Sequence, residues 1–316
     1  MKIFISGCAG FIGFHLSRSL LQKGFYIYGI DNLNDYYDIK LKLARLKELE
    51  AFKNFSFEAQ DLNKIQTQKI NFDIAINLAA QAGVRLPKQD YWKYKHSNVD
   101  GFKGFLNFCK ISNIRKIIYA SSSSVYSGIK KVPFKEDSLL NNPLSKYAET
   151  KILNEKLAED FSLNNANNRI IGLRFFTVYG SWGRPDMAYY LFANKIQSDD
   201  TITLFNKGEG ARDMTHIKDI VDGIFLSIEH LNFSKNKHEI FNLGNNKPIS
   251  TYDLLERIEK KLNKKSKVIM SDYRNEVMIT MADLTKSKTV LGYNPKTDLD
   301  SGLDNFFYWY KKYNNV

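Results

Sequence analysis

The chain has 316 residues, of which 43% are apolar and 25% charged, ordinary values for a globular protein able to bury a substantial core. No apolar run approaches the ~20 residues that cross a bilayer, which excludes a helical membrane protein. The net charge of +12 raises nucleic acid as a partner, but the basic residues are scattered (Lys40, Lys42 and Arg45; Lys130 and Lys131; Lys260, Lys261, Lys264 and Lys265). They read as solvated helix faces, so no nucleic acid is expected, although positive charge suits an anionic small substrate.

Residues 2–6 read as a strand, 12–23 as an amphipathic helix and 25–30 as the next strand. Gly7, Gly10 and Gly13 interrupt the apolar start, His15 and Arg18 follow, and no small-residue cleavage site closes it. It therefore reads as a first strand and turn rather than a secretory leader, and a cytoplasmic protein is expected. Further strands are expected at 55–58, 74–78, 116–120 and 170–174, with helical periodicity over 40–52, 101–111 and 145–161. This order predicts βαβ units and an α/β fold of the Rossmann type, a doubly wound parallel sheet covered on both faces. After about residue 173 the alternation loosens around Pro185, Gly208-Glu209-Gly210 and Pro248. The expected division is a dinucleotide domain over 1–172 and a smaller α/β substrate-binding lobe over 173–316, with a segment near 211–243 returning to the first. Cys8 and Cys109 form neither a disulfide framework nor a metal cluster, and no metal is expected.

Between the first strand and the first helix lies Gly7-Cys8-Ala9-Gly10-Phe11-Ile12-Gly13. Glycines at these points permit a tight turn and close approach of backbone to a pyrophosphate, and the helix N-terminus offers its free N–H groups. Asp31, directly after the second strand, stands where a carboxylate accepts the adenosine ribose hydroxyls and repels a 2′-phosphate, which favours NAD over NADP. Its alternative is a strand-end Asp capping a turn. Asn32 follows Asp31, while Asp61 and Leu62 after the third strand and Leu78, Ala79 and Ala80 after the fourth lie where a cofactor could pass, although taken alone they read as strand-end packing.

Tyr147 and Lys151 are four residues apart on one face of a predicted helix. A nearby ammonium is expected to lower the phenol pKa and make it a base for a hydroxyl proton while hydride leaves the same carbon. Ser121-Ser122-Ser123-Ser124 ends the 116–120 strand, at the sheet edge where α/β proteins bind ligands.

Together with Arg174-Phe175-Phe176 these motifs resemble the nucleotide-sugar epimerases and dehydratases of the extended short-chain dehydrogenase/reductase family, over nearly the whole chain. More narrowly, residues 31–37, 80–85, 174–180 and 182–188 resemble the UDP-glucuronate 4-epimerases. The resemblance implies tightly bound NAD, a UDP-sugar substrate, a homodimer through the 101–111 and 145–161 helices, and C4 epimerisation through a 4-keto sugar. It implies Tyr147 as base, Lys151 on the nicotinamide ribose and Ser122 at the C4 oxygen, with Ser124 as the alternative because the serine register is ambiguous.

A 4-keto uronic acid loses carbon dioxide readily, so its carboxylate must be gripped. Ser122, Ser123, Ser124, Thr177 and Arg184 are the candidates, Arg for its bidentate fork. The resemblance assigns Arg212 to the diphosphate and Phe205 to the uracil side, and adds Glu276; Arg85 is a further anion contact or a surface residue. The 273–277 stretch, Ser181 and Leu86-Pro87-Lys88 depart from the family pattern, which touches substrate identity. The competing activities are 4-epimerisation of another UDP-sugar (glucose or N-acetylglucosamine type) and UDP-glucuronate decarboxylation.

Overall fold

Alternation along the first strand sets the central layer. In β1 (Lys2–Ser6), Ile3 and Ile5 enter one hydrophobic cluster and Phe4 another, and all three are buried, as expected of a strand covered on both faces. The computed structural model describes residues 1–65, 70–165, 167–272 and 277–315.

After β1 come α1 (Phe11–Gln22), β2 (Tyr26–Asp31), α2 (Ile39–Glu50), β3 (Phe55–Ala59) and β4 (Ile74–Asn77). A one-turn helix α3 (Tyr91–Tyr94) runs through a π-helical turn, Lys95–Asp100, into α4 (Gly101–Ile111). The half closes with β5 (Lys116–Ser122), α5 (Lys146–Asn164) and β6 (Arg169–Phe175).

The later elements are β7 (Thr177–Tyr179), α6 (Ala188–Gln197), β8 (Thr201–Phe205), β9 (Ala211–His216), α7 (Ile217–His230) and β10 (His238–Leu243). They are followed by β11 (Pro248–Ser250), α8 (Thr251–Leu262), β12 (Lys267–Ser271), α9 (Thr285–Leu291) and α10 (Leu299–Asn314).

Seven parallel strands form the large sheet in the order β10-β6-β5-β4-β1-β2-β3. The direction of winding reverses between β1 and β4, so a crevice opens at their carboxyl ends, where doubly wound sheets bind ligands. This is the Rossmann-type sheet expected from the βα alternation. β9 belongs to a smaller sheet, β11-β9-β7, and β8 pairs with β12. The chain then returns to the large layer: α7 packs on α1, and β10 extends the sheet beside β6.

α5 has an unusual buried stripe. Ala148, Lys151, Asn154, Glu155, Ala158 and Ser162 face inward at helical spacing, so its inner face is polar rather than apolar. Ser145 starts it cleanly, its hydroxyl accepting the Ala148 N–H. This helix carries the polar groups of the site against the sheet edge.

Candidate active site

A continuous cavity of about 800 Å³ runs from the glycine turn past the serines after β5 to Arg212 in the smaller lobe. At one end the turn is closed to side chains. Gly7 has φ +77°, and a Cβ there would lie 2.7 Å from Ala79 N and 2.8 Å from Leu78 C. A Cβ on Gly13 would lie 2.0 Å from Gly7 O. The backbone of 78–80 can therefore run directly beside the turn, and α1 begins at Phe11 with no side chain capping it. Gly7, Gly10, Phe11, Ile12, Gly13, Leu78, Ala79 and Ala80 all line this end.

Asp31 ends β2, nearly buried, and accepts the Leu33 N–H at 2.8 Å. Lys42 Nζ lies 3.7 Å from it and 3.0 Å from Asn34 Oδ1. Burial lowers the Lys42 pKa, against the pull of Asp31. Across the crevice Asn32 Nδ2 donates to Asp61, beside Leu62. Burial opposes ionisation of Asp61, yet hydrogen bonds from Asn63, His96 and Asn32 outweigh it and hold the carboxyl at about 2. A glycine cradle that admits only backbone, an uncapped helix end and a strand-end carboxylate fit a dinucleotide such as NAD, with pyrophosphate on the turn and ribose at Asp31.

The serine run separates into distinct roles. Ser121 Oγ donates to Glu155 at 2.5 Å, within a buried network in which Glu155 takes a bidentate pair from Arg174 (2.9 and 2.7 Å). Ser122 Oγ accepts the Ser124 N–H at 3.2 Å and lies close enough to the Tyr147 phenol to pull its pKa down. Ser123 lines the cavity, and the buried Ser124 Oγ has no partner among the described residues. Packing thus gives the four serines different surroundings.

Tyr147 departs from expectation. Burial raises its pKa, and the groups that pull it down are the Arg184 charge and the nearby Ser122 hydroxyl. Lys151 turns back to the sheet instead, donating from Nζ to Ala120 O at 2.9 Å, with the ammonium 5.7 Å from the Tyr147 ring centre. Its own pKa is lowered by burial to about 8, against the pull of Glu155 one turn on. Helical spacing brought the two residues to one face, but the site dehydrates them more strongly than it couples them.

Arg184 lies near Tyr147, held by Asp186 through Nε (3.0 Å) and Nη2 (2.9 Å). Its fork is therefore already half engaged, and Nη1 donates to no protein atom among the described residues. Thr177 lines the cavity from β7, and Arg212 from β9. Arg85 also lines it, though its side chain is largely exposed. Phe205 ends β8, which pairs with β12; it is 39% exposed and does not line this cavity. Glu276 lies outside the described residues.

Other residues at the site were not expected. Lys42 and Arg45 are buried rather than solvated, because they share the inward face of α2 with Leu41, Leu46 and Leu49. Their position on that stripe was the signal available. Asn98, in the π-helical turn, accepts the Gln81 N–H (2.8 Å) and donates to Gln81 O and Thr150 Oγ1, bracing the 79–81 backbone against α5. No local pattern marks it.

Comparison with known proteins agrees with this geometry. The NAD dependent epimerase/dehydratase family model matches residues 3–244. UDP-glucuronate 4-epimerase 4 of Arabidopsis thaliana is 39% identical over 333 residues, 99% of this chain and 76% of its own. Protein CapI of Staphylococcus aureus is 38% identical over 335 residues, 99% of both chains. Among solved structures, UDP-glucuronic acid 4-epimerase from Bacillus cereus, in complex with UDP-glucuronic acid and NAD, superposes with a TM-score of 0.91. It is 32% identical, over 99% of this chain and 100% of that one. The chain belongs to the NAD-dependent epimerase/dehydratase family.

Proposed function

We propose that this protein is an NAD-dependent UDP-glucuronate 4-epimerase, interconverting UDP-glucuronate and UDP-galacturonate. The observation that carries the reading is the meeting of Tyr147, Ser122 and Arg184 at the carboxyl end of β5, in the same cavity as the glycine turn. The relatives named above for UDP-glucuronate support the choice of sugar.

Bound NAD would take hydride from C4 and give it back to the opposite face, so it ends each turnover unchanged. Tyr147 takes the C4 hydroxyl proton and later returns it. A phenol must do both, and its environment is balanced accordingly: burial favours the neutral acid, while Arg184 and Ser122 stabilise the phenolate. Ser122 holds the C4 oxygen, and Lys151 binds the nicotinamide ribose. Ser123, Ser124, Thr177 and Arg184 hold the uronate carboxylate, with Asp186 fixing the orientation of the guanidinium. Arg212 and Arg85 face the diphosphate.

The division of labour assigns residues 1–172 mainly to NAD and 173–316 mainly to the nucleotide sugar. A cytoplasmic homodimer is part of the same proposal. Among the described residues no helix is long and apolar enough to cross a membrane, and α4 and α5 leave Ile111, Leu153 and Leu163 exposed.

Proton NMR of UDP-glucuronate incubated with the purified protein, without added NAD, tests the reading. The expected result is a new anomeric signal from UDP-galacturonate without UDP-pentose. An unchanged spectrum would remove the assignment, and conversion of UDP-glucose or UDP-N-acetylglucosamine in parallel samples would redirect it to another sugar.

A further inference from the structure

Arg45 is fully buried, and no carboxylate pairs with it among the described residues. Buried cations ordinarily need a compensating charge or a full set of hydrogen bonds. Here four oxygens meet the two terminal nitrogens, while the buried Nε has no partner among the described residues. Nη1 donates to Ala9 O (2.8 Å) and the Tyr37 hydroxyl (2.7 Å), and Nη2 to Trp182 O (2.6 Å) and Gly183 O (3.1 Å). The carbonyls come from two distant places. Ala9 is in the glycine turn, whereas Trp182 and Gly183 immediately precede Arg184.

The second of these segments is strained and pinned. Trp182 has φ +57°, a conformation unfavourable for a bulky residue. A Cβ on Gly183 would lie 1.7 Å from the Tyr189 hydroxyl. His15 of α1 contacts Ser181 O through Nε2 at 2.8 Å; burial lowers its pKa to about 3, so the ring is neutral and donates that bond. The Trp182 indole packs against Phe14 on one side and Trp309 on the other. Such a conformation persists only where its surroundings impose it, and Arg45 holds its two central carbonyls.

We infer that Arg45 is a positioning residue that sets the Arg184 segment in register with the glycine turn, and so governs how much of the 4-keto acid is lost as carbon dioxide. The inference rests on the proposed epimerisation. In the 4-keto uronic acid, decarboxylation breaks the C5–C6 bond. Its electron pair enters the C4–C5 enolate, carbon dioxide leaves, and C5 then takes a proton to give the 4-keto pentose. No oxidant is required beyond the one that oxidised C4. The bond breaks only when it stands near perpendicular to the carbonyl plane, and an ion pair to Arg184 stabilises the carboxylate that this step consumes. A guanidinium free to drift relative to Tyr147 loses control of both.

The test is the ratio of decarboxylated products (UDP-pentose plus UDP-4-keto-pentose) to UDP-galacturonate, read by NMR early in the reaction. Wild type, Arg45→Lys and Tyr37→Phe are compared. The ratio counts turnovers of folded enzyme only, so partial loss of folding does not move it. Lysine keeps the charge but cannot span Ala9 O on one side and the Trp182 and Gly183 carbonyls on the other, and Tyr37→Phe removes one oxygen from the guanidinium. The ratio is expected to rise on the order of ten-fold in Arg45→Lys and less in Tyr37→Phe. Affinity for UDP alone should stay within about two-fold of wild type, because Arg184 serves the sugar rather than the nucleotide. A wild-type ratio in Arg45→Lys overturns the positioning role and leaves the epimerase reading intact. If Arg45→Lys does not fold, the Tyr37→Phe ratio decides in the same sense. A wild type inert toward UDP-glucuronate overturns both.

Discussion

At the scale of single residues, burial moves the proton-bearing groups of the site toward neutrality. The Tyr147 phenol is raised, and the Lys151 ammonium is lowered to about 8. The opposite case is Asp61, which hydrogen bonds hold ionised down to about 2 despite partial burial. An unfolded Asp titrates near 3.9. The folded value is lower, so the stabilisation is fully present above about pH 4 and is lost as pH falls through about 2. The gap in urea midpoint between wild type and Asp61→Asn should be full at pH 5 and narrow steadily between pH 4 and pH 2. A gap that stays constant from pH 5 to pH 3 would contradict the role given to Asn63, His96 and Asn32. Tyr147, Lys151 and Asp31 were legible because each has a fixed spacing from a strand end or along a helix. Lys42 and Arg45 were misread as solvated. A basic residue on an apolar stripe can be recognised as buried only once its partners are known, and those partners come from distant segments.

At the scale of elements, the turn between β1 and α1 separates conformational need from lack of space. Gly7 and Gly24 both have positive φ, but a Cβ on Gly24 meets nothing within 4 Å, whereas one on Gly7 meets the Ala79 and Leu78 backbone. Gly24→Ala should lower stability by about 1 kcal/mol through backbone strain alone. It should keep its bound nucleotide, measured by absorbance after denaturation and filtration. Gly7→Ala should destabilise more and release little or no NAD, because the 78–80 backbone must move out of the crevice. Equal nucleotide content in the two variants would show that the close approach is unimportant. Strand and helix limits in this half were readable to within one to three residues, since period-2 and period-3.6 patterns arise locally. The polar inner face of α5 was not expected, because Glu155 is compensated by Arg174 of β6 and Ser121 of β5. The π-helical turn bearing Asn98 likewise left no periodic trace.

At the scale of the whole molecule, two hydrophobic cores meet at one side chain. Trp182 packs against both the sheet cluster, through Phe14, and the smaller lobe, through Trp309 and Tyr313. With Arg45 it couples the two halves, so a single calorimetric unfolding transition is expected. Trp182→Ala should cost about 3 kcal/mol and broaden or split the transition; an unchanged, sharp transition would place the coupling elsewhere. The amino-acid sequence by itself determined the parallel βα architecture, the dinucleotide turn and the Tyr-Lys pair, because these follow from hydrophobic period, glycine and short fixed spacings. Its resemblance to known motifs supplied the family. Only tertiary structure decided that Ser122 lies by Tyr147, that Arg184 rather than Lys151 opposes the rise in the phenol pKa, that Phe205 does not line the cavity, and that a buried arginine ties the turn to the segment bearing Arg184. Each depends on side chains from remote segments being desolvated together, and that energy appears only when the chain has folded.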